Sequence, residues 1–253
     1  MFRSFVRANQ RVCRRIAPRL PQARIRFEDL YVDRVAERMN AAPGQTVVDV
    51  GGGKSCRFAH RRDPRLGTRI ICVDVAEAEM APNQDVDEKR VGDIMQGLPF
   101  DDGTVDLVVS RSVLEHLESQ EQFADAAYRA LKPGGYSIHF FPCKFAPFAV
   151  INQLLPNRVS KALLHGIFEG KEGILGFPAC YDKTYYSAYT RLLEAKQFQI
   201  ERIDISYSQS GYFSFFLPCF LVSALYEMVV MALGIQNLCA YMIVVARKDP
   251  ATG

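Results

Sequence analysis

The sequence of 253 residues lacks any paired cysteine spacing. Its seven cysteines are scattered and no two form a C-x-x-C pair, which excludes a zinc ribbon and a disulfide framework and favours a reducing compartment. The formal net charge is only +3, so the chain has no strong overall charge of either sign. A hydrophobic content of 49% can bury a sizeable core, and this length predicts one α/β domain with insertions.

Charge is also scarce in a long stretch near the end of the chain. Between Ile205 and Ala246 the only charged residue is Glu227, and residues 211–234 are rich in apolar side chains. About twenty apolar residues can span a bilayer, but strands predicted on both sides must return to one sheet, which a single crossing forbids. The segment is therefore predicted to be a helical hairpin or a re-entrant segment broken near Pro218. Three locations are open for this segment: contact with one membrane leaflet, internal packing, or a dimer interface.

The mild net charge hides an uneven distribution. Residues 1–26 contain eight arginines and no acidic residue. Apolar residues recur there at helical spacing, namely Phe2, Phe5, Val6, Val12, Cys13 and Ile16. This pattern predicts a basic amphipathic helix, which could be a membrane-surface anchor, a mitochondrial presequence, an extension folded onto the domain or a solvated extension. Together with residues 211–234 it favours a cytoplasmic protein that is peripheral to a membrane, because stable attachment usually needs two signals.

The most informative pattern is a glycine turn that follows an apolar strand. Val47-Val48-Asp49-Val50 runs directly into Gly51-Gly52-Gly53, with an acid two residues before the first glycine. Glycines permit positive φ and a close approach of a ligand to the main chain, and a following helix would direct free N–H groups at that ligand. The turn is therefore predicted to hold a nucleotide.

Acidic residues follow the next predicted strands. The run Arg69-Ile70-Ile71-Cys72-Val73-Asp74 ends in an acid about one βαβ unit after Gly51, where ribose hydroxyls are bound in nucleotide-binding folds. A further acid, Asp93, precedes a turn-rich stretch. Residues 105–110 form a predicted buried strand, and residues 131–135 a helix stop and a turn into another strand. The repeated order of strand, acid and helix predicts an α/β domain.

Two other nucleotide-binding motifs fit the turn poorly. A P-loop requires glycine five positions before Gly53-Lys54-Ser55, and that position is Val48. A nicotinamide dehydrogenase requires a small residue at the end of G-x-G-x-x-G, and that position is Cys56.

The motifs together resemble the class I S-adenosylmethionine-dependent methyltransferases, in particular the small-molecule and ubiquinone-type group, over about residues 40–141. The resemblance implies S-adenosylmethionine as cofactor and a Rossmann-like, doubly wound α/β sheet of seven strands with an antiparallel last strand. The glycine turn is expected to hold the amino acid end of the cofactor, the second-strand acid its ribose and the third acid its adenine. The residues so implied are Asp49, Gly51, Gly52, Gly53, Asp74, Val75, Asp93, Ile94 and Ser110.

The implied fold divides the chain into two parts. Residues 1–40 form the N-terminal extension and a lead-in helix, and residues 41–253 form the methyltransferase domain, with a lid insert at 142–181 and an apolar insert at 211–234. The lid insert leaves the carboxyl end of strand five, where ligands of open α/β sheets bind. Further helices are predicted at 28–40, 120–131 and 184–197, the last capped by Asp182 or Thr184, and further strands at 136–141, 200–207 and 240–246.

Candidate catalytic residues follow strands four and five. His116 is the preferred general base because imidazole titrates near neutrality, and the Glu115-His116 pair follows strand four as in the ubiquinone-type relatives. The alternative is a structural or capping pair in a short helix. His139, near the carboxyl end of strand five, is a further candidate. Some relatives bind a divalent metal through another glutamate three residues before that of the pair, but this position is Ser112, so no metal is expected.

The substrate is constrained mainly by what is missing after strand four. Residues 110–113 lack the Asn/Asp-Pro-Pro-aromatic motif of the nucleic-acid amino-methyltransferases, and no basic face accompanies the lid, so no nucleic-acid substrate is expected. Methyl transfer to an oxygen of a small or lipid-like acceptor is favoured. One alternative is a nonenzymatic S-adenosylmethionine-binding or assembly protein, in which Lys54 would be an early sign of decay of the glycine motif. Another is aminopropyl transfer, which would require an acidic pocket for a polyamine, but the only acidic residues of the lid are Glu169 and Glu172.

Overall fold

A computed structural model describes residues 2–155 and 179–250 of the chain. Seven strands form one sheet in the order β3-β2-β1-β4-β5-β7-β6. The strands are β1 (Thr46–Val50), β2 (Arg69–Asp74), β3 (Glu88–Val91), β4 (Val105–Arg111), β5 (Leu131–Pro142), β6 (Phe198–Ser206) and β7 (Tyr241–Lys248). The central strands β1, β2 and β4 are apolar on both faces and almost fully buried, as expected of parallel strands covered by helices.

The register of the sheet defines one functional edge. Strands β1 to β5 pair in parallel, whereas β7 pairs antiparallel with both β5 and β6. Val50, the last residue of β1, pairs with Val73 of β2 and with Ser110 of β4. The segments that follow these three strands therefore start side by side.

Helices cover both faces of this sheet. They are α1 (Phe2–Ile16), α2 (Phe27–Met39), α3 (Glu77–Met80), α4 (Gln120–Ala130), α5 (Pro147–Leu154), α6 (Tyr186–Ala195) and α7 (Leu217–Ala232). On one face, α2 buries Tyr31, Val35 and Met39 against the strands. On the other face, α4 and α6 complete the second core, to which they contribute Phe123 and Leu192 among others.

Most predicted elements are present with shifted ends, and the antiparallel pairing of the last two strands is confirmed. The helix expected directly after the glycine turn is absent: residues 51–68 contain only the 3-10 turns Ala59–Arg61 and Pro64–Leu66. One predicted cap is wrong: neither Asp182 nor Thr184 caps α6, which begins after Thr184. The Lys183 N–H donates to Gln120 Oε1 at 2.9 Å, and the Thr184 carbonyl accepts from the Lys144 N–H at 2.8 Å. These bonds tie the residues before α6 to the start of α4 and to the loop after β5.

The two inserts differ in how much of them can be described. Residues 156–178 of the predicted lid insert lie outside the described residues, which include α5 before them. In the apolar insert, a 3-10 turn at Ser210–Phe213 leads into α7. Pro218 lies in the first turn of α7, where its missing N–H has no intrahelical role, so the segment is one helix and not the predicted hairpin. Over residues 2–155 and 179–250, no helix is long and apolar enough to cross a membrane.

The N-terminal helix packs along α7. Val6 and Cys13 form the buried side of α1. The Leu217 N–H at the start of α7 donates to Asn9 Oδ1 at 2.9 Å, and Cys13 Sγ lies 3.7 Å from the Ser214 carbonyl. All eight arginines of the segment are exposed. The segment is therefore an extension folded onto the domain, and it contacts the apolar insert.

Glu227, the lone charge of the apolar insert, is fully buried on the inner side of α7. Its carboxylate accepts hydrogen bonds from Gln22 Nε2 (2.9 Å), the Gln209 N–H (3.0 Å), Ser223 Oγ (3.2 Å) and Ser210 Oγ (3.3 Å). Burial raises the pKa of Glu227, and these hydrogen bonds oppose the rise. The carboxylate thus joins the N-terminal segment, the loop after β6 and α7.

Candidate cofactor and acceptor site

The glycine turn after β1 is held by its neighbours on both sides. The Gly51 N–H donates to the Val73 carbonyl at 2.7 Å, and the Gly53 N–H donates to Asp74 Oδ2 at 3.2 Å. Gly51 has φ +64° and Gly53 has φ +50°, a region that favours glycine. A Cβ atom on Gly51 would overlap Val113 Cγ2. Glycine at this position therefore lets the loop after β4 pack against the turn.

Asp49 lies beneath the turn and is 6% exposed. A Cβ atom on Gly52 would lie 2.7 Å from Asp49 Oδ2 and 2.8 Å from Cys72 Sγ, so Gly52 leaves the room that this carboxyl group occupies. Burial raises the pKa of Asp49 to about 7, against the opposing effects of a hydrogen bond with Cys56 and the positive charge of Arg111. A second cation bound beside the turn would favour the ionised carboxylate.

The other two predicted acids lie at the ends of the neighbouring strands. Asp74 ends β2 and is tied to the turn by its bond from Gly53. Val75, directly after it, is exposed, as is Asp93 after β3, while Ile94 is buried behind Asp93. Asp93 Oδ1 accepts the main-chain N–H two residues further on at 3.0 Å. Because β3, β2 and β1 are neighbours, the structure brings the three predicted acids to one edge of the sheet.

Ser110 and His139 lie inside the sheet, below that edge. His139 Nδ1 is 2.8 Å from Ser110 Oγ, and His139 Nε2 is 2.5 Å from Ser137 Oγ. The imidazole is 2% exposed, and burial lowers its pKa to about 3. Both ring nitrogens are thus engaged, which favours a structural role for the His139 side chain over that of a general base.

Glu115 and His116 are neighbours on a 3-10 turn, Leu114–His116, but their environments differ. Glu115 is buried and His116 is about one-third exposed, with Glu115 Oε1 at 3.8 Å from His116 Nε2. Burial raises the pKa of Glu115 to about 8. Within the described part of the chain, Glu115 Oε2 has no hydrogen-bond partner. The Glu115 carbonyl accepts from the N–H groups of Cys180 (2.7 Å) and Tyr181 (3.0 Å), which joins the end of the lid insert to this turn.

A buried hydroxyl on α2 bears on whether a cofactor fits. Tyr31 is 1% exposed, and its hydroxyl has no hydrogen-bond partner among the residues described. Its pKa is raised, mainly by burial and also by the negative charge of Asp49, while Arg111 opposes the rise. Buried polar atoms are normally hydrogen-bonded. This hydroxyl and the glycine turn fit a polar ligand seated at this edge of the sheet.

The sequence patterns did not indicate Tyr31, Arg111, Ser112 or Val113 as parts of the site. Ser112 has φ +55°, which is unusual for a residue other than glycine, and its N–H donates to the Phe140 carbonyl at 2.8 Å. The one available signal for Arg111, Ser112 and Val113 was their position at the end of β4 or directly after it. Tyr31 gave none, because an aromatic residue on the inner face of a helix is usually part of the core.

The sheet order, the glycine turn after β1 and the carboxylates after β2 and β3 define an α/β domain of the nucleoside-cofactor-binding class. Residues 48–139 match the family model described as a methyltransferase domain. A probable S-adenosylmethionine-dependent methyltransferase of Mycolicibacterium smegmatis is 33% identical over 116 residues, which are 44% of this chain and 42% of that protein. An uncharacterized methyltransferase of Mycobacterium sp. (strain KMS) is 32% identical over 107 residues, 42% of each. The matches therefore span about two fifths of these relatives.

Solved structures resemble the whole fold. Geranyl diphosphate C-methyltransferase from Streptomyces coelicolor, in complex with Mg²⁺, geranyl diphosphate and S-adenosyl-L-homocysteine, has a TM-score of 0.57 at 16% identity, with 88% of this chain and 81% of that chain covered. The [4+2]-cyclase SpnF has a TM-score of 0.55 at 19% identity, with 87% and 80% covered. The chain therefore has the fold of the class I S-adenosylmethionine-dependent methyltransferases, and its residues 48–139 match a methyltransferase domain.

Proposed function

We propose that this chain transfers a methyl group from S-adenosylmethionine to an oxygen of a small or lipid-like acceptor at a membrane surface. The observation that carries methyl transfer is the row of Asp49, Asp74 and Asp93 with the glycine turn, at the ends of three adjacent strands. When bound, S-adenosylmethionine supplies an activated methyl group, so the protein mainly has to align the acceptor and exclude water.

The residues of the edge suit the parts of this cofactor. Asp49 and Gly51–Gly53 would hold its amino acid end, where the raised pKa of Asp49 allows that carboxyl group to ionise beside an ammonium group. Asp74 and Val75 would bind the ribose, with Asp93 and Ile94 at the adenine. Ser110, the last residue but one of β4, would contribute only its main chain, since its side chain is engaged with His139.

Calorimetry with S-adenosylmethionine and S-adenosylhomocysteine tests the cofactor assignment. Asp74→Ala is expected to weaken binding about 10- to 100-fold, because hydrogen bonds to charged groups contribute roughly 1.5–3 kcal/mol. Asp101→Ala, in an exposed turn far from this edge, serves as the matched control. Tight binding by Asp74→Ala would contradict the assignment, and no binding of either molecule by the wild type would reject the proposed function. Binding without transfer to any acceptor would favour the nonenzymatic alternative.

The oxygen acceptor requires a route for its proton. His116 is proposed to accept that proton at a ring nitrogen, because it is partly accessible beside the loop after β4, whereas both ring nitrogens of His139 are engaged. Glu115 would orient the ring of His116 from 3.8 Å. His116→Ala is expected to lower turnover about 10²- to 10⁴-fold with the cofactor still bound. Unchanged turnover would remove His116 as the base.

Membrane contact rests on the outward side of α7. This α7 face consists of Leu221, Val222, Leu225, Val229 and Leu233, all between 47% and 69% exposed. The buried residues of the helix are Phe220, Ala224 and Val230 together with the hydrogen-bonded Ser223 and Glu227. Exposed arginines of the N-terminal segment lie alongside, which suits a surface of anionic lipid. An apolar strip bordered by cations is expected to sit at the boundary of headgroups and acyl chains.

Co-sedimentation with vesicles tests this contact. The full chain is expected to sediment with phosphatidylcholine vesicles that contain phosphatidylserine, and less so with phosphatidylcholine alone or in high salt. The double variant Val222→Glu/Leu225→Glu is expected to remain in solution. Val91→Glu, an equally exposed valine on the edge strand β3, is the matched control and should still sediment. A wild-type chain that stays in solution with anionic vesicles at low salt would reject membrane contact.

A further inference from the structure

A continuous group of aromatic rings lies beside the proposed methyl-transfer site. It contains Phe27 and Tyr31 of α2, Phe140 of β5, Phe148 of α5, Tyr212 of the turn before α7 and Tyr241 of β7. Phe148 stacks on Tyr212, with centroids 4.4 Å apart and planes 9° apart. The ring of Phe148 lies 5.6 Å from that of Tyr241, which lies 5.6 Å from Phe140. This aromatic group thus draws on five separate elements.

The aromatic group is polar at its centre. The hydroxyls of Tyr212 and Tyr241 lie 2.8 Å apart. Burial raises the pKa of Tyr212, Tyr241 and Tyr181, and the negative charge of Glu115 adds to the rise, so the Glu115 carboxyl group lies within electrostatic range of all three phenols. Glu115 Oε2 is buried and has no partner among the residues described. A buried polar atom without a partner costs roughly 1–3 kcal/mol, which a bound hydroxyl would recover.

This place adjoins the cofactor turn. Gly51 lies against Val113, only two residues before Glu115. The Ser112 N–H joins the same loop to Phe140 of the aromatic group, and the Glu115 carbonyl holds the main chain of Tyr181. A ligand among these rings would therefore lie between the cofactor turn and the end of the lid insert.

We propose that Glu115 Oε2 and the rings of Phe148, Tyr212 and Tyr241 form the acceptor site, which takes an uncharged molecule bearing a hydroxyl group on a ring with apolar faces. The proposal rests on the proposed function. Two kinds of molecule share this chemistry, phenols and sugars. The positive charge of Arg111 acts on both Glu115 and Asp49, so a cationic acceptor would meet repulsion. The raised pKa of Glu115 is consistent with an uncharged ligand, because a protonated carboxyl group can donate a hydrogen bond to a neutral oxygen.

Calorimetry on the full chain saturated with S-adenosylhomocysteine tests the site with four probes. 4-Methylphenol and methyl α-glucopyranoside carry the hydroxyl, 1,4-dimethylbenzene has no oxygen that could accept a hydrogen bond, and 4-methylbenzylamine is cationic. One hydroxyl probe is expected to bind, and which one binds distinguishes a phenol from a sugar. Glu115→Leu and Tyr212→Leu should each weaken it about tenfold, as expected for the loss of one hydrogen bond or one ring face, with S-adenosylhomocysteine affinity unchanged. Glu118→Leu, exposed in the same loop, should have no effect.

A second measurement covers the case in which Glu115→Leu does not fold. Binding of the hydroxyl probe to the wild type is expected to weaken as the pH rises past about 8, because Glu115 then loses its proton, and Glu115→Gln should abolish this dependence. The other charged or titratable groups that act on Glu115 remain in the variant; they are Arg111, His116, Cys143, Tyr181, Tyr212 and Tyr241.

The outcomes separate the two proposals. If S-adenosylhomocysteine binds but neither hydroxyl probe does, or if 1,4-dimethylbenzene or the amine binds as tightly as the hydroxyl probe, the acceptor site is refuted and the proposed function stands. Unchanged probe binding by both Glu115 variants refutes it equally. If S-adenosylhomocysteine does not bind, both proposals fail.

Discussion

The contact between Gly51 and Val113 gives the most direct prediction from the site geometry. Gly51→Ala places a side chain at φ +64°, which costs roughly 1–2 kcal/mol in the left-handed region. The new Cβ would also overlap Val113 Cγ2. Valine is stiff at χ1, so relief requires an unfavourable rotamer or a shift of the loop, at about 1–3 kcal/mol. The expected loss of unfolding free energy is therefore about 2–5 kcal/mol.

Gly67 offers a matched control for the backbone contribution. It has the same φ of +64°, but no atom lies within 4 Å of its added Cβ, so Gly67→Ala should cost only roughly 1–2 kcal/mol. Urea unfolding followed by circular dichroism measures both variants. In the double variant Gly51→Ala/Val113→Ala the overlap is removed, and a coupling of about 1–3 kcal/mol is expected. S-adenosylhomocysteine affinity should fall in Gly51→Ala and recover in part in the double variant.

Two results would refute this reasoning. Equal destabilisation by Gly51→Ala and Gly67→Ala would show that the overlap has no cost. A coupling within roughly 0.5 kcal/mol of zero would show that the loop after β4 does not press on the turn.

Three further predictions concern buried charges and can be measured by the same unfolding assay. The folded-state pKa of Asp49, about 7, lies above its ordinary value of 3.8, so between these values the folded chain keeps a proton that the unfolded chain has released. The stability that protonated Asp49 contributes is present below this window and falls as the pH rises through it, by at most roughly 1.4 kcal/mol per pH unit. The unfolding free energy of Asp49→Asn should therefore vary less with pH than that of the wild type, and an equal pH dependence of the two would contradict this. Glu227→Ala leaves four donors without their shared acceptor and should lower the unfolding free energy by about 2–5 kcal/mol. Glu194→Ala, at an exposed position, should lower it little, and equally small losses in both variants would show that Glu227 does not hold the three segments together. Arg34 binds both oxygens of Asp204 at 2.8 and 3.3 Å, and both side chains are largely buried, so Arg34→Lys should lower the unfolding free energy by about 1–2 kcal/mol. Arg26→Lys, at the exposed pair with Asp29, should lower it by under roughly 0.5 kcal/mol. Equal losses in the two variants would disprove the bidentate contact.

The cofactor half of the site was predictable because its determinants are local in sequence. A strand, a glycine turn and an acid at the end of the next strand each depend on a few consecutive residues, and parallel pairing then brings the strand ends to one edge. Asp49, Asp74 and Asp93 were therefore predicted together, and the structure brings them together. Their roles toward the cofactor stay predictions.

The proposed acceptor half of the site could not be predicted in the same way. His139 was chosen for its position near the end of a strand, but pleating directs its ring inward to Ser110 and Ser137. Adjacent Glu115 and His116 have opposite exposures that neither residue type indicates. The rings around Glu115 come from elements that lie far apart along the chain, so no spacing could connect them.

The sequence by itself determined the α/β class, the order of its core elements and the glycine turn, because burial periodicity and positive φ are properties of short segments. Only the tertiary structure decided that the arginine-rich segment lies along the apolar helix and that the carboxylate of Glu227 joins the two. The physical reason is that many different segments could cover an apolar helix face or supply hydrogen bonds to a buried carboxylate. Which partner it meets depends on contacts between residues about 200 positions apart.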